Sequence, residues 1–519
     1  MLGLSLLEEH VTSPYFTITT IIIFLAISLV LILLKWSSFS SKKSGLAPPS
    51  PLTLPIIGNL HQLGLYPHHS FRKLAEIYGP IMLLHLGSVP ALIISSADMA
   101  REIMKTHDII FSDRPKSKIN QITAYGQKDI AVAPYGEYWR QMKSIAVVHL
   151  LSNKRVQSYK DVREEETNLM IDHIKSSSSL PVNLSEIFAN TTNDIVCRVA
   201  LGRKYRETEG GGGGGRSFRD LLREGGEIFG LFNVGDFIPW LDWIGSVKGS
   251  YARAEKVAKE LDEFFERVVD EHVANGNWRA ESKNKDLVDV LLWIQEENMA
   301  GFPIEKTSIK AIILDVFGAG TDTTYTALDW VMAEVLRHPE VMKKLQNEIR
   351  EIAKNKSEIT EDDLNKIPYI KAVIQEALRL HPPLPLLVPR VSTQDVKVKG
   401  FNIAAGTQVF INAYAIGRDP AIWDRAEEFV PERFLNNTID FKGQNFELIP
   451  FGSGRRICPG IQFAMSTDEL ALAKLMYKFD WELHGVATTL QDMDMSETTG
   501  LTAHRKLPLL AVATPYLSS

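Results

Sequence analysis

The sequence predicts a mainly α-helical protein with a small β region and an N-terminal transmembrane helix. The transmembrane helix is predicted by the almost wholly apolar run Phe16–Leu34. The helical body is predicted by apolar residues at helical spacing from about residue 97 to 391, with short β-type runs before and after. A hydrophobic content of 45% is enough for a large buried core and excludes a wholly disordered chain.

Length, charge and cysteine content limit what the protein can be. The 519 residues would ordinarily form about three or four domains of roughly 150 residues each. The net charge of −6 argues against a nucleic-acid partner, which would require a basic face. Because only Cys197 and Cys458 are present, a disulfide framework, a Cys-rich zinc site and a four-cysteine iron–sulfur cluster are excluded. A reducing, cytosolic environment is expected.

The apolar run fits a membrane anchor better than a cleaved secretory signal. As a helix, Phe16–Leu34 would span about 28 Å, close to the hydrocarbon core of a bilayer. A secretory signal would begin with basic residues, whereas Glu8 and Glu9 precede this run. Lysines at 35, 42 and 43 follow it, and the positive-inside rule then places the rest of the chain in the cytosol.

The domain boundaries follow from this arrangement. Residues 1–35 are predicted to form the anchor, residues 36–60 a basic and proline-rich hinge, and residues 61–519 a single cytosolic domain. Prolines of the hinge, such as Pro48, Pro49 and Pro51, fix φ and lack an amide hydrogen. They therefore favour a stiff spacer over a continued helix.

Turn signals separate the predicted elements of the body. Helical spacing over His68–Tyr78 ends at a Gly-Pro pair, and Ile81–Ser95 is predicted to form a β-hairpin. Short strands are expected again within Val396–Phe410 and near the C-terminus. The six glycines at 210–215 lack the context of a phosphate-binding loop and favour a surface loop. The aromatic-rich segment Leu231–Ile244 fits either the core or a surface that dips into the membrane.

The most informative segment is Pro450–Gly460, which reads Pro-Phe-Gly-Ser-Gly-Arg-Arg-Ile-Cys-Pro-Gly. Its glycines allow tight turns and a close approach of the backbone. Cys458 follows two arginines and precedes Pro459, a favoured first residue of a helix. A thiol in this position is expected to be stabilised as thiolate, the form that ligates a metal or attacks a substrate. Cys197, by contrast, is interpreted as a small buried hydrophobic residue.

The pattern Phe-x-x-Gly-x-Arg-x-Cys-x-Gly in this segment resembles the haem-binding signature of the cytochrome P-450 superfamily, the haem-thiolate monooxygenases. The resemblance implies the cytochrome P-450 fold and haem b (iron protoporphyrin IX) as cofactor. It implies that the Cys458 thiolate is the axial iron ligand and that Arg456 neutralises a haem propionate. Phe451 would pack near the ligand, and backbone amides around Gly460 would donate hydrogen bonds to the sulfur.

A second motif, Ala-Gly-Thr-Asp-Thr-Thr at 319–324, lies in a helical pattern from about residue 310 to 336. By itself, a glycine beside an acid and alcohols in mid-helix is equally consistent with a kinked core helix. In the family, this motif crosses the distal side of the haem. The resemblance implies that Gly320 opens a groove for dioxygen, and that Asp322 and Thr323 deliver protons for the cleavage of dioxygen.

Two further motifs occur in the family's order. Glu376 and Arg379 are three residues apart on a predicted helix, which alone would be an ordinary surface pair of little energetic value. A Pro-Glu-Arg-Phe run containing Arg433 follows. The resemblance implies that Glu376, Arg379 and Arg433 form a buried network with a structural role.

Additional propionate partners are implied before and after these motifs. Trp139-Arg-Gln-Met-Lys143 resembles the family's Trp-x-x-x-Arg, in which both end residues meet a propionate. Lys143 departs from that pattern, keeping the charge but losing the bidentate fork of arginine. Arg390 is implied as another propionate partner.

The resemblance extends from the anchor to Pro508 and is similar in detail to plant A-type microsomal members, which mostly oxidise specialised metabolites. It implies a single-pass protein of the endoplasmic reticulum membrane with a cytosolic catalytic domain, in contact with membrane lipid. Electrons from NADPH would arrive through a separate NADPH–haemoprotein reductase, because the sequence has no dinucleotide fingerprint. A small haem electron carrier is a further implied partner. The basic residues expected to form a docking face for the reductase are Arg140, Lys143, Lys154, Arg155 and Arg455. The same residues are equally consistent with an ordinary cluster of solvated surface charges.

Substrate contacts are implied for the family's recognition regions, which are largely apolar in this sequence. The expected contacts are Ile122, Tyr125, Ile312, Val316, Phe317, Leu386, Leu387 and Leu501. Such a lining suits a lipophilic small molecule: a terpenoid, an alkaloid or a phenolic.

Two other functions are consistent with the motifs. The first is a haem-thiolate enzyme that does not insert oxygen, such as an aldoxime dehydratase or an isomerase; the intact Asp322-Thr323 pair argues against it. The second is a non-catalytic haem sensor or membrane scaffold, which would not need an acid–alcohol pair.

Overall fold

The structure is a computed structural model that describes residues 18, 20–24, 27, 46–177, 180–205, 217–279, 285–299, 302–354, 356–485 and 493–516. The predicted anchor, Phe16–Leu34, therefore lies mostly outside the described residues, as does the glycine run 210–215. Within the described ranges, we find no helix with the length and apolar character that a membrane crossing requires.

The described chain is mainly helical, as the sequence predicts. Its α-helices are α1 (Pro67–Tyr78), α2 (Ala97–Arg101), α3 (Lys118–Thr123), α4 (Glu137–Ile145), α5 (Asn153–Ser158), α6 (Lys160–Ser176), α7 (Leu184–Leu201), α8 (Phe218–Phe229), α9 (Val234–Phe237), α10 (Trp243–Val247), α11 (Ser250–Asn275), α12 (Leu287–Glu296), α13 (Lys306–Arg337), α14 (Pro339–Ile352), α15 (Glu361–Leu364), α16 (Pro368–Leu380), α17 (Ala413–Ile416) and α18 (Ile461–Lys478). Short 3₁₀ turns include Pro431–Phe434 and Gly454–Arg456.

The β region is small and divided among three sheets. Its strands are β1 (Ile81–Leu86), β2 (Val89–Ile94), β3 (Pro181–Asn183), β4 (Arg390–Val391), β5 (Val396–Val398), β6 (Phe401–Ile403), β7 (Gln408–Ile411), β8 (Phe479–Leu483) and β9 (Leu510–Pro515). A four-stranded sheet has the order β1-β2-β7-β4, a three-stranded sheet the order β3-β9-β8, and β5 pairs with β6. β1 and β2 form the predicted hairpin, with Gly87 at φ +60° in its turn. The other edge of β2 pairs with β7 in parallel.

Helix α13 is the central element of the fold. It runs over 32 residues, slightly beyond the predicted range, and packs against α7, α16 and α18. Its N-terminal half contributes Ile312 and Phe317 to one hydrophobic core, and its C-terminal half contributes Leu328 and Val331 to a second core. Because both halves are fixed by packing, the stretch between them has a defined position in the protein.

The proline-rich segment before α1 is attached to the body over the part that the structure describes. The carbonyl of Pro49 accepts a hydrogen bond from the amide of Leu83 in β1 at 2.9 Å. Asn59 is fully buried, and its side-chain oxygen accepts from the amide of His85 at 2.7 Å. Residues 49–59 therefore have a fixed position beside β1.

The segment around α9 and α10 lies on the surface. Phe232, Trp240, Trp243 and Val247 have exposures of 58%, 64%, 59% and 75%. Ile238 of the same segment is buried, so the segment contributes to the core and also presents an exposed apolar patch. We call these four residues the aromatic patch.

Candidate active site

The turn that carries Cys458 is held by backbone hydrogen bonds. The amide of Cys458 donates to the carbonyl of Phe451 at 3.0 Å, and the amide of Gly460 donates to the Cys458 sulfur at 3.3 Å. Gly454 adopts φ +71°, and a Cβ at this position would lie 2.1 Å from the carbonyl oxygen of Met104. Only glycine fits this turn. Helix α18 begins at Ile461, two residues later than the sequence predicts.

The two arginines before the cysteine do not stabilise its thiolate, so this prediction is wrong. Burial raises the pKa of Cys458, and only the Gly460 amide and Lys143 oppose that effect. Arg455 instead pairs with Asp108 at 3.2 Å, and the Arg456 guanidinium points into the protein. A neutral thiol in this position still suits a metal ligand, because coordination itself removes the thiol proton.

Three buried guanidinium groups converge beside the cysteine loop. Arg456 donates to the carbonyls of Ser112 and Ala133 and lies 4.0 Å over the ring of Trp139. Arg390 and Arg114 donate to further backbone carbonyls, those of Ser453 and Val388 among them. The sequence prediction includes Arg390 and Arg456 but misses Arg114, which belongs to no motif that we recognised.

This cluster has an excess of buried positive charge. Burial lowers the pKa of Arg390 and Arg456 to about 10, with the charge of Arg390 adding to the effect on Arg456. Burial, followed by repulsion from Arg456, lowers the pKa of Arg114. In the described ranges, Arg390 alone of the three comes within 4.0 Å of a carboxylate, that of Asp108. The cluster thus fits an anionic partner, and the two propionates of haem b are such a partner.

Lys143 lies over the cysteine loop and not over the arginine cluster. Its ammonium group donates to the carbonyls of Arg455 and Ile457, the latter at 3.1 Å. Burial, followed by repulsion from Arg456, lowers the pKa of Lys143 to about 8. The indole of Trp139 donates to the carbonyl of Ile130 at 3.0 Å. Both members of the Trp-x-x-x-Lys motif therefore brace backbone around the cysteine loop and the arginine cluster.

The acid–alcohol motif occupies the central stretch of α13. The hydroxyl of Thr323 donates to the carbonyl of Ala319, one turn earlier in the same helix, at 2.7 Å. Gly318 and Ala319 are exposed in this stretch, while Asp322 and Thr323 are half-buried. The motif therefore borders an open space on one side of the helix.

Gly320 also has a packing role, which the resemblance does not imply. A Cβ at this position would lie 3.3 Å from a methyl group of Val196 in α7. The missing side chain thus faces the neighbouring helix, and the glycine allows α13 and α7 to cross closely. The groove for dioxygen at Gly320 stays a prediction.

Two carboxyl groups that the sequence did not single out tether the loop between α3 and α4. Asp315 of α13 accepts from the amide of Ile130 at 2.5 Å, and Asp129 accepts from the amide of Val132 at 3.0 Å. Burial raises the pKa of Asp129 to about 6, and burial together with the charge of Asp129 raises that of Asp315. The carbonyl of Ile130 also accepts from Arg456, so this loop links α13 to the arginine cluster.

The structure brings Glu376, Arg379 and Arg433 together. The Arg379 guanidinium forms two hydrogen bonds of 2.8 Å with the carboxylate of Glu376, and both side chains are fully buried. Arg433 donates to the same carboxylate at 3.0 Å. Arg379 also donates to the carbonyls of Gly417, Ala426 and Glu428, which precede the cysteine loop.

The residues expected to contact substrate are dispersed. Val316 is partly buried and lies seven residues before Thr323, two turns along the same face of α13. Leu387 adopts φ +52° and lies near Gly452 of the cysteine loop. Leu501 contacts Gly230 at the end of α8.

Other expected substrate residues pack elsewhere. Phe317 is fully buried in an aromatic cluster, with ring centroids 4.9 Å from Phe218 and 6.3 Å from Phe265. Tyr125 lies against Lys310, whose position in α13 is about 20 Å from Thr323 along the helix axis. The remaining members of the set are Ile122 and Ile312, which join the first core, and Leu386, which packs beside β1 and β2.

Comparison with known proteins agrees with the motifs and the geometry. Residues 48–510 match the family model described as Cytochrome P450. Cytochrome P450 736A117 of Prunus mume is 57% identical over 515 residues, covering 99% of each chain. A 3-beta-hydroxylase of Tanacetum parthenium is 51% identical over 501 residues (96% and 98% covered), and a norfluorocurarine oxidase of Strychnos sp is 52% identical over 473 residues (89% and 91% covered).

The fold is also shared with solved structures. A zebra fish cytochrome P450 solved with abiraterone superposes with a TM-score of 0.72 at 24% identity, covering 88% of this chain and 100% of the other. At that identity the similarity shows the fold alone. The family match and the plant relatives show more: this chain belongs to the cytochrome P450 family and is a haem-thiolate monooxygenase.

Proposed function

We propose that this monooxygenase hydroxylates or otherwise oxidises a lipophilic plant specialised metabolite, using NADPH and dioxygen, with electrons from a separate reductase. The observation that carries the proposal is the intact Asp322-Thr323 pair, which borders the open side of α13. An acid–alcohol pair is suited to supplying protons where dioxygen is cleaved. The printed names of the Tanacetum and Strychnos relatives, a hydroxylase and an oxidase, describe oxidative activities and support the same reaction class.

Different residues of the chain would bind the haem, deliver protons and orient the substrate. The sulfur of Cys458 would ligate the haem iron, and Arg390 and Arg456, with Arg114 beside them, would bind the propionates. When bound, haem supplies the activation of dioxygen and the oxidising chemistry. Asp322 and Thr323 would hold and deliver protons on the distal side. Apolar residues such as Val316 would orient the substrate and exclude water.

The substrate class is supported by the chemistry of the implied lining. Val316, Leu386, Leu387 and Leu501 offer no charged group, so shape and apolar contact would select the ligand. A terpenoid, an alkaloid or a phenolic meets this requirement.

Turnover in microsomes that contain the reductase tests the proposed function. We expect product from at least one member of a panel of terpenoids, alkaloids and phenolics, with NADPH and dioxygen consumed in step with it. Purified protein without reductase should give no product with NADPH. Product formed in the absence of NADPH or dioxygen would contradict the proposal and favour the dehydratase or isomerase.

A groove of about 720 Å³ beside the cysteine loop supports docking of the reductase on this side of the protein. Cys458 and Lys143 line it, together with Lys371 and Lys442. Glu361 and Asp362 line it as well, so its charge is mixed and not purely basic. Of the five basic residues expected to form a docking face, Lys143 is the one that lines this groove. Cys458 is partly buried and lines this groove, which favours electron entry here.

We infer that the aromatic patch contacts the endoplasmic reticulum membrane beside the predicted anchor. Tryptophan rings at an exposed loop are suited to the interface between headgroups and acyl chains. In the full chain reconstituted into vesicles, brominated lipids should quench tryptophan fluorescence less in a Trp240→Ser/Trp243→Ser variant than in the wild type. Trp278→Phe, which removes a buried tryptophan, is the control and should leave the quenched fraction nearly unchanged. Equal quenching of the double variant and the wild type would contradict membrane contact.

A further inference from the structure

His504 contacts the acid of the acid–alcohol pair from a distant part of the chain. Its Nε2 lies 3.4 Å from a carboxylate oxygen of Asp322. Its Nδ1 lies 2.6 Å from the hydroxyl of Thr326 and 2.9 Å from the hydroxyl of Tyr325. The imidazole is stacked on the Tyr325 ring, with centroids 5.2 Å apart and an interplanar angle of 6°. Three side chains of α13 thus fix its position and orientation.

Counting hydrogens shows that a proton lies between His504 and Asp322. When the Thr326 hydroxyl donates its single hydrogen to the carbonyl of Asp322, at 2.7 Å, its oxygen can only accept from Nδ1. With a hydrogen on Nδ1, an unprotonated Nε2 would present a lone pair to the carboxylate. The contact is favourable only if a proton lies between Nε2 and Asp322.

The other tautomer leads to the same result. Burial raises the pKa of Tyr325, so its phenol keeps its hydrogen and can donate it to Nδ1. The one hydrogen of a neutral imidazole is then on Nε2, again facing Asp322. Both arrangements therefore present a proton to the carboxylate.

His504 is also connected to solvent and held in place. Its side chain is 25% exposed, which allows exchange of protons with water. The turn that carries it is fixed because the indole of Trp330 donates to the carbonyl of Ala503 at 2.8 Å. The charged and titratable groups around the imidazole are Asp322, Tyr325 and Asp329 of α13 and Arg505 of its own turn, with Arg223 of α8 near Tyr325.

We propose that His504 is a positioning residue that acts through Asp322 by returning a proton to its carboxyl group during turnover. Each monooxygenation consumes substrate, dioxygen, NADPH and one proton, and forms hydroxylated product, NADP⁺ and water. When Asp322 passes its proton towards Thr323, the Nε2 proton of His504 moves to Asp322, and His504 regains a proton from water. No electron is transferred in these steps. The proposal rests on the proposed function of the Asp322-Thr323 pair.

An acid that gives up its proton must regain it before the next turnover. His504 is suited to this task because its Nε2 lies 3.4 Å from the Asp322 carboxylate. Leu501, an expected substrate contact, is three residues from His504 in the same turn. Binding of substrate at this turn would thus act on the residue that supplies the proton.

His504→Gln in the full chain tests the proposal, because glutamine can hydrogen-bond at this position but cannot exchange a proton. We expect the rate of product formation to fall about 10-fold, less than the ~10²–10⁴-fold of a direct general acid because His504 acts through Asp322, with KM nearly unchanged. Hydrogen peroxide released per NADPH should rise, and the solvent isotope effect on kcat should increase. Adding Asp322→Asn to His504→Gln should cause no loss beyond that of Asp322→Asn alone.

Two controls separate this outcome from a general loss of structure. The same substitution at the exposed His484, His484→Gln, should leave product formation and peroxide release unchanged. The reduced, carbonyl-bound spectrum should be the same in wild type and His504→Gln, which shows that the haem site is intact. If His504→Gln released as little hydrogen peroxide per NADPH as the wild type and showed the same solvent isotope effect, the proposal would be overturned. If the wild-type protein itself formed no oxygen-dependent product, the proposed function would be overturned instead.

A second measurement does not depend on turnover. In the full holoprotein labelled with ¹⁵N-histidine and held in the diamagnetic reduced carbonyl state, His504→Gln identifies the signals of His504. We expect the ¹⁵N shift of Nε2 at neutral pH to be that of a protonated nitrogen. The shift of an unprotonated nitrogen would overturn the proposal.

Discussion

Replacement of Arg379 by leucine is expected to leave little or no folded holoprotein. The substitution removes both hydrogen bonds to the fully buried carboxylate of Glu376. A buried charge that loses its partner costs about 3–5 kcal/mol. Arg433, which is slightly exposed, still pairs with Glu376 and offsets part of this cost. The carbonyls of Gly417, Ala426 and Glu428 also lose their donor, at about 1–3 kcal/mol for each one left buried without a partner. The sum is comparable with the ~5–15 kcal/mol by which folded proteins are usually stable.

Haem content per unit of expressed chain measures this effect. The matched control is Arg253→Leu, since the Arg253 side chain is 45% exposed and pairs with Glu224 and Glu227 on the surface. An exposed pair of this kind contributes about 0–1 kcal/mol, so the control should express and bind haem like the wild type. Wild-type haem content and an unchanged melting temperature in Arg379→Leu would show that the network is not needed for the fold.

Replacement of Cys458 by alanine is expected to abolish product formation. The sulfur is the group that the cysteine loop is built to present: the Cys458 amide is bound to Phe451, and the Gly460 amide donates to the sulfur. Without a thiolate, the iron loses the ligand that favours cleavage of the oxygen bond. Cys197→Ala is the matched control, because Cys197 is buried in the helical core and burial raises the pKa of its thiol to about 12. Turnover above background in Cys458→Ala would contradict the assigned role.

Motifs with a fixed local spacing could be read from the sequence. The turn around Cys458 depends on glycines and on backbone hydrogen bonds between residues less than ten positions apart, so the sequence pattern contains most of its geometry. The length of α13 and the β-hairpin follow from periodicity and turn residues in the same way. Glu376 and Arg379 are one helical turn apart, and a local rule already places them side by side.

Side-chain directions and distant contacts could not be predicted in this way. Arg455 and Arg456 occupy successive positions of the 3₁₀ turn Gly454–Arg456 and therefore point in different directions, one to Asp108 and the other into the protein. The contact of Gly320 with Val196, which reveals its place in a close helix crossing, depends on the fold and not on a local motif. His504 is 182 residues from Asp322, and no spacing rule joins such a pair.

Buried charges without a motif were the other class of missed residue. Arg114, Asp129 and Asp315 belong to none of the recognised motifs, and their roles arise from the packing of the loop between α3 and α4 against α13. A single charged residue in a sequence is most often a solvated surface group. The burial that gives these three residues their significance becomes visible only when the fold is assembled.

The spectrum of the reduced, carbonyl-bound protein tests the central claim most directly, because it reports the iron ligand itself and needs no substrate. We predict that the wild-type protein shows the red-shifted band of thiolate ligation and that Cys458→His binds haem but loses this band. A wild-type spectrum without the red-shifted band, or an unchanged spectrum in Cys458→His, would contradict the assignment of Cys458 as the haem ligand.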